Sequence, residues 1–296
     1  MRSPKNSQTS RLSLSFSRTC CALATLTGIA LSYPVASTAS ELPLGASPTD
    51  QAMVRAAVGR LKIPAQRTVH GRRQHFIERC SATLVSAGAW QERSTWIISA
   101  WHCFEHYQDL SRSISFTGST NAAVNARLVR SGGGMRDDWA LLRLDRSLPG
   151  AVPLANVVST EGQPLLMAGF PKRQTPEAEG GALTDTTEEI PGRAAHDSGE
   201  STTAIPGTAP RTLKLARDCR MTKSIERDVQ SDCVLPPGSS GGAVFSINTG
   251  LGSRAGVPTR LVYQGVISRG DSTTLSIFVP LKRFQTAVLR EMRSKP

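Results

Sequence analysis

Pro237-Gly238-Ser239-Ser240-Gly241-Gly242-Ala243 sets a serine among residues too small to shield it. A serine hydroxyl attacks a carbonyl carbon only when the substrate comes close and a base stands ready to take its proton. On a tight turn of this kind the N–H groups of Gly238 and Ser240 can point together at the oxygen that becomes negative during attack. By itself such a run is equally a flexible turn or linker. The chain also supplies a base and a carboxylate. Trp96-Ile97-Ile98-Ser99-Ala100-Trp101-His102-Cys103 is an apolar stretch that ends in a histidine. Asp137-Asp138 stands directly before Trp139-Ala140-Leu141-Leu142. His102 would accept the Ser240 proton and return it to the leaving group. One of these two acids would hold the imidazole in the useful tautomer and stabilise its charged form. His70, His75, His106 and His196 lack that setting and read as ordinary surface or core side chains.

Short strands must position these groups. From about Phe76, apolar segments at Ala82–Val85, Trp96–Ala100, Ile114–Thr117, Ala126–Arg130 and Ala140–Leu144 alternate with Gly-, Ser- and Arg-rich turns. Evenly spaced short strands predict a sandwich or barrel. Ser147-Leu148-Pro149-Gly150 marks a crossing to a second half, whose strands are Leu165–Pro171, Leu213–Ala216, Ala243–Ile247, Leu261–Ile267 and Ser276–Val279. Residues 172–212 are rich in Pro, Gly, Thr and Glu and read as a long surface excursion. Ser47-Pro48-Thr49-Asp50 is a helix start, with a serine cap and an acid at the third position. Val54, Ala57, Val58 and Leu61 follow at helical spacing, up to a stop at Pro64. Lys282 to Met292 is a second amphipathic segment.

Residues 1–39 read as a secretory leader. Arg2, Lys5, Arg11 and Arg18 precede the apolar run Cys20–Leu31, and Ser37-Thr38-Ala39 offers small residues for cleavage. An uncleaved anchor is the alternative, although the run is short for a span. No later stretch is apolar enough to cross a bilayer, so no membrane association is expected once the leader is removed. Two of the six cysteines leave with the leader; Cys80, Cys103, Cys219 and Cys233 remain, and four cysteines allow three pairings. No Cys-x-x-Cys spacing is present, which disfavours a zinc site. The formal charge of +12 falls to about +8 without the leader. Arg55, Arg60, Lys62, Arg67, Arg72, Arg73 and Arg79 cluster ahead of the first barrel. No nucleic-acid motif or aromatic interleaving accompanies them, so they read as a solvated face and no nucleic-acid partner is expected.

The order His102, Asp138, Ser240, in those surroundings, resembles the chymotrypsin-like (trypsin-fold) serine peptidases, over about residues 75–292. The resemblance implies an all-β fold of two six-stranded antiparallel β-barrels with a C-terminal α-helix. The first barrel would span about 75–150, the second about 151–281 and the helix 282–292, behind the leader and an N-terminal extension over 40–74. It implies a secreted or periplasmic monomer that cuts polypeptides through an acyl-enzyme, with no cofactor and no metal. It favours the pairs Cys80–Cys103 and Cys219–Cys233, each worth about 2–4 kcal/mol. Asp138 fits the family register, and in a strand Asp137 should face the other way. Trp101 stands where relatives carry alanine, and packing between the barrels is its expected role. Many animal digestive relatives carry an aspartate before the nucleophile, which pairs with a new N-terminal amine after zymogen cleavage. Ser239 cannot make that pair. With Asp232-Cys233 and Gly169-Phe170-Pro171, this is more similar to the bacterial secreted branch that includes glutamyl endopeptidases.

Trypsin-like enzymes carry an aspartate six positions before the nucleophile. Here that position is Val234, followed by Leu235, and an apolar side chain cannot compensate a buried guanidinium. Glutamyl enzymes place a histidine before the pocket-wall serine, whereas Ile267 precedes Ser268 here. An apolar or small residue is therefore expected before the scissile bond. Ser268, Arg269 and Gly270 would pair with the substrate backbone as an added strand. An esterase with the same triad and a catalytically silent binding module on the same fold are the rival readings.

Overall fold

The computed structural model describes residues 47–88, 92–108, 112–154, 160–172, 211–225, 228–247, 261–271 and 273–294. The leader and nearly all of the 172–212 excursion lie outside them.

Helix α1 (Pro48–Ala57) begins as its sequence dictates. The Ser47 hydroxyl accepts from the Asp50 N–H, and the Asp50 carboxylate accepts from the Ser47 N–H. This reciprocal cap satisfies two donors that the helix cannot. The helix does not continue to Leu61 as its spacing predicts. It ends at Ala57, and strand β1 (Val58–Val69) starts at once. Leu61 serves both periods: it lies one turn beyond Ala57 and Val58, and it also alternates with the buried Ile63 and Ala65. Antiparallel pairing along the whole of β1 with β2 (Arg72–Ser86) decides between them, because the ladder satisfies the backbone groups. The first barrel therefore begins at Val58, and the boundary expected at 75 is corrected.

Four more strands complete that barrel: β3 (Ser94–Ser99), β4 (Ile114–Thr117), β5 (Ala123–Ser131) and β6 (Ala140–Leu148). The order β1-β4-β5-β6-β3-β2 closes because β1 and β2 also pair. The two-residue β7 (Val152–Pro153) adds a short parallel pairing on β2. The second barrel is formed by β8 (Pro164–Gly169), β9 (Lys214–Ile225), β10 (Asp228–Ser231), β11 (Ala243–Ile247), β12 (Leu261–Gly270) and β13 (Ser276–Pro280). It closes in the order β10-β13-β12-β11-β8-β9. A single 3₁₀ turn, Leu281–Arg283, leads into helix α2 (Gln285–Arg293). The molecule thus has two closed six-stranded antiparallel barrels and a C-terminal helix. The strands that composition did not reveal are β1, hidden by helical spacing, and the short β7 and β10.

Strand alternation divides the core into three. Leu61, Leu84, Ile97, Phe116 and Leu142 fill the first barrel. Leu165, Met167, Val244, Ile267 and Phe278 fill the second. Their chain neighbours Val85, Ile98, Leu141, Leu166 and Phe245 face outward into a third cluster, where the barrels meet. Helix α2 closes this seam: Phe284 stacks on Trp139 with ring centroids 5.4 Å apart, and Val288 is fully buried. Trp96 and Trp139 belong to the seam cluster; Trp101 sits half-buried in the turn after β3, outside all three clusters, which corrects its expected packing role. Disulfides join Cys80 to Cys103 and Cys219 to Cys233. No helix among the described residues is long and apolar enough to cross a membrane.

Candidate active site

Strand β3 delivers His102 to the seam. The strand ends at Ser99, and a 3₁₀ turn, Trp101–Phe104, carries the imidazole outward. The Cys80–Cys103 disulfide ties this turn to β2. Two donors from one residue reach Asp138: the His102 backbone N–H to Oδ1 and Nδ1–H to Oδ2, each at 2.8 Å. The ring is thus fixed in position and in tautomer. The Ser268 hydroxyl also donates to Oδ2. Asp138 has no solvent exposure. Burial pushes its carboxyl up, but the His102 hydrogen bond and charge, the Ser268 hydroxyl and the His102 N–H together hold it below the ordinary carboxylate value.

The adjacent acids do part company. Asp137 pairs with the Arg283 guanidinium at the start of the C-terminal helix, while Asp138 faces His102. The two carboxylates thus take different partners just ahead of β6, which begins at Ala140. His102, Cys80 and Cys103 offer three atoms within 4.8 Å of one another, but both sulfurs are bonded in the disulfide and supply no thiolate to a metal.

Ser240 sits on the turn that enters β11. Its carbonyl accepts from the Ser81 N–H at 2.7 Å, and Gly241 N–H donates to the Ile267 carbonyl at 2.8 Å. These two bonds pin the Ser240 turn between the barrels. Gly241 has φ +80°, and a Cβ there would fall 2.1 Å from the Ser81 carbonyl oxygen; only glycine fits. The Ser240 hydroxyl donates to the Ser268 carbonyl at 3.3 Å. The structure places no hydrogen bond between that hydroxyl and His102 Nε2. Both side chains line one cleft of about 400 Å³.

The turn before Ser240 is held from outside. Gly238 has φ +91°. The Pro237 carbonyl accepts from the Lys172 N–H at 2.6 Å. The Gly238 carbonyl accepts from the Ser81 hydroxyl at 3.1 Å and from Arg211 Nη2 at 3.3 Å. Arg211 Nε also donates to the Pro171 carbonyl at 2.6 Å. Ser239 is 1% exposed and its hydroxyl has no partner.

Of the pocket residues expected from sequence, Leu235, Ser268, Arg269 and Gly270 line the cleft, together with Ile267. Val234 does not; it is half-buried beside the wall. Arg269 is paired with Asp228 of β10 at 2.5 Å. Sequence reasoning missed Ser276, which lines the cleft and accepts from the Leu235 N–H through its hydroxyl. It also missed Ser81 and Arg211. A serine inside a strand and an arginine at the end of an excursion give no local signal of such roles.

A search of curated proteins finds no match to this sequence. A family model for the trypsin-like peptidase domain matches residues 80–251, a span that runs from the first cysteine of β2 past the Ser240 turn. With the double barrel and the seam described above, the chain belongs to the trypsin-like peptidase family, serine proteases in general.

Proposed function

We propose that the protein is a secreted serine endopeptidase in which Ser240 is the nucleophile, His102 the general base and acid, and Asp138 the group that orients the imidazole. The observation that carries this reading is the double grip of Asp138 on His102 in a cleft that also exposes Ser240. The resting serine hydroxyl leans on the Ser268 carbonyl. Rotation about its Cα–Cβ bond brings it to Nε2 when substrate enters; catalytic hydrogen bonds are often long or misaligned before then. His102 takes the proton as Ser240 Oγ bonds to the scissile carbonyl carbon. The oxyanion lies against the N–H groups of Gly238 and Ser240. His102 then protonates the leaving amine, and a water molecule activated by the same imidazole releases the acyl group.

The substrate strand runs along Ser268, Arg269 and Gly270, which sets the residue before the scissile bond in the pocket of Leu235, Ile267 and Ser276. The acid that lines the cleft, Glu105, belongs to the His102 turn and not to the segments of Leu235, Ile267 and Ser276, and Arg269 is already paired with Asp228. An apolar or small residue is the preferred occupant. Although the turn resembles the bacterial branch that includes glutamyl endopeptidases, Ile267 removes the basis for a glutamate preference. The oxyanion hole forms without insertion of a new N-terminus, because Ser239 offers no acid to such an amine. A variant with extra residues ahead of Glu41 is expected to keep its activity. Two disulfides accord with export to an oxidising compartment.

The test is to incubate the purified protein with a diverse peptide pool and sequence the products. Cleavage after apolar or small residues, abolished in Ser240→Ala, supports the reading. Hydrolysis of short esters without peptide cleavage would make the protein an esterase. Fluorophosphonate labelling of Ser240 that persists in His102→Ala would remove the histidine from its role.

A further inference from the structure

Two peptide planes meet at Gly238, and each carbonyl is claimed by a neighbouring segment. Lys172 N–H holds the Pro237 carbonyl at 2.6 Å. In a trans peptide the C=O and N–H point in opposite directions, so this bond turns the Gly238 N–H away from Lys172. A glycine at φ +91° has the freedom to let that plane flip, and a flip would put a carbonyl where a donor is needed. The second plane is held through the Gly238 carbonyl, by the Ser81 hydroxyl and by Arg211. Ser81 in turn accepts from the Phe170 N–H at 2.8 Å.

Arg211 touches both arms of this clamp. One nitrogen reaches the Gly238 carbonyl, and Nε holds Pro171, the residue next to the Lys172 N–H that fixes the other plane. A forked guanidinium can hold two carbonyls at once, whereas an ammonium offers a single point. In relatives that mature by cleavage an acid before the nucleophile anchors this turn; here the corresponding Ser239 hydroxyl is buried and idle.

We propose that Arg211 is the positioning residue for the oxyanion hole, holding the Pro237-Gly238-Ser239 turn with Gly238 N–H directed at the developing negative charge. The inference rests on the peptidase reading above and names how its hole is kept formed without an N-terminal amine. The arrangement is electrostatically unfavourable in isolation. Burial, then the nearby Arg79 and Arg60, pull the Arg211 guanidinium down to about 10. A half-buried cation crowded by two others is not a stability device, and its two carbonyl contacts give it a use.

The experiment compares wild type, Arg211→Met and Arg211→Lys as full chains, with rates taken per folded molecule. Arg211→Met is expected to lose about 10- to 100-fold in kcat with KM within about twofold, somewhat less than loss of an oxyanion donor itself. Arg211→Lys should recover part of it. A peptide boronate, which mimics the tetrahedral adduct, should lose affinity in proportion to kcat. The same peptide as an uncleavable amide should bind equally to all three. A merely structural arginine would instead lower both affinities and the folded fraction together, which overturns the proposal, as does a kcat in Arg211→Met within twofold of wild type. If Arg211→Met does not fold, Arg211→Lys and Ser81→Ala, which removes the other donor to the Gly238 carbonyl, must show the same kcat-only loss or the proposal fails. A wild type that neither cleaves peptides nor reacts with fluorophosphonate sinks the peptidase reading and this inference with it. An active wild type beside an unaffected Arg211→Met sinks the inference alone.

Discussion

The two flanks of Ser240 are built on opposite electrostatic plans. On the wall side, Ile267, Leu235 and Gly270 are uncharged, and the cation Arg269 is matched by Asp228. On the other side Arg79 and Arg60 stand close enough to Arg211 to add to the burial that pulls its guanidinium down. The acid among them, Glu78, is occupied by Lys172 at 2.8 Å. The β1–β2 register explains the crowding. Lys62 is directly opposite Arg79 and Arg60 is opposite Ser81, so all three cations share the strand face that brings Ser81 to Gly238. Like charges directly opposite in a ladder are destabilising, so this face is kept at some cost. The contrast matches the chemistry proposed for each side. A pocket that receives an apolar side chain needs neutral walls, whereas a basic flank can select by charge among the residues that follow the scissile bond.

The most damaging way to break the comparison is to remove the negative charge that faces His102 between the two flanks. Asp138→Asn is expected to lower kcat about 10⁴-fold, because the imidazole loses its tautomer and its charged form loses a partner. Stability carries a second signature. The folded carboxyl titrates below its ordinary value of 3.8, so its stabilising contribution is complete above that value and vanishes as pH falls through the lower, folded one. The gap in melting temperature between wild type and Asp138→Asn should be widest near neutrality and close in strong acid. A gap that widens as pH falls would mean that the carboxyl is destabilising where it stands.

A smaller perturbation sharpens the contrast between flanks. With the substrate strand proposed on Ser268–Gly270, the residues after the scissile bond are expected on the opposite flank, that of Arg60 and Arg79. Arg60→Gln with Arg79→Gln should lower kcat/KM about 3- to 10-fold for peptides acidic after the cut, at low salt only, since screening removes such steering. Neutral peptides should be cut at wild-type rates. On the wall side Asp228→Asn should free Arg269 and raise cleavage of peptides acidic before the cut by about two- to fivefold, a modest gain because the guanidinium is largely solvated. Equal effects on both peptide sets would dissolve the distinction between the flanks.

What could be read from the chain in advance follows the same division. The grouping of Ser240, His102 and Asp138 at one cleft was legible because the work proposed for them constrains their neighbours: glycines that let the chain turn, a strand that ends at the imidazole, an apolar run after the carboxylate. Most strands were legible from alternation, and β4 falls on Ile114–Thr117 as expected. β1 was not, because Val54, Ala57, Val58 and Leu61 satisfy helical spacing while Leu61, Ile63 and Ala65 satisfy alternation, and only the distant β2 chooses. Arg211 was invisible for a related reason. It lies 27 residues ahead of Gly238, and nothing in the 172–212 composition marks Arg211 as the residue that returns to the Ser240 turn. Contacts made across a fold leave no periodicity behind them.

Val234 supplies the finest test of the wall. By sequence offset it holds the position where trypsin-like enzymes keep the aspartate that recognises Lys or Arg. In space the cleft is lined by Leu235, Ile267 and Ser276 instead, and Leu235 is the residue tied to the pocket by the Ser276 hydroxyl. An acid introduced at a half-buried position off the cleft meets solvent and the neighbouring basic strand β9 before it meets substrate. At such a distance a carboxylate adds little to binding, since exposed charges are weakly coupled. Val234→Asp should therefore leave the ratio of Arg to Leu cleavage within about twofold of wild type, measured as kcat/KM on paired peptides that differ only before the scissile bond. A tenfold gain for Arg would show that residue 234 reaches the bound side chain, and the neutral wall would then owe its character to Val234 rather than to Leu235 and Ile267.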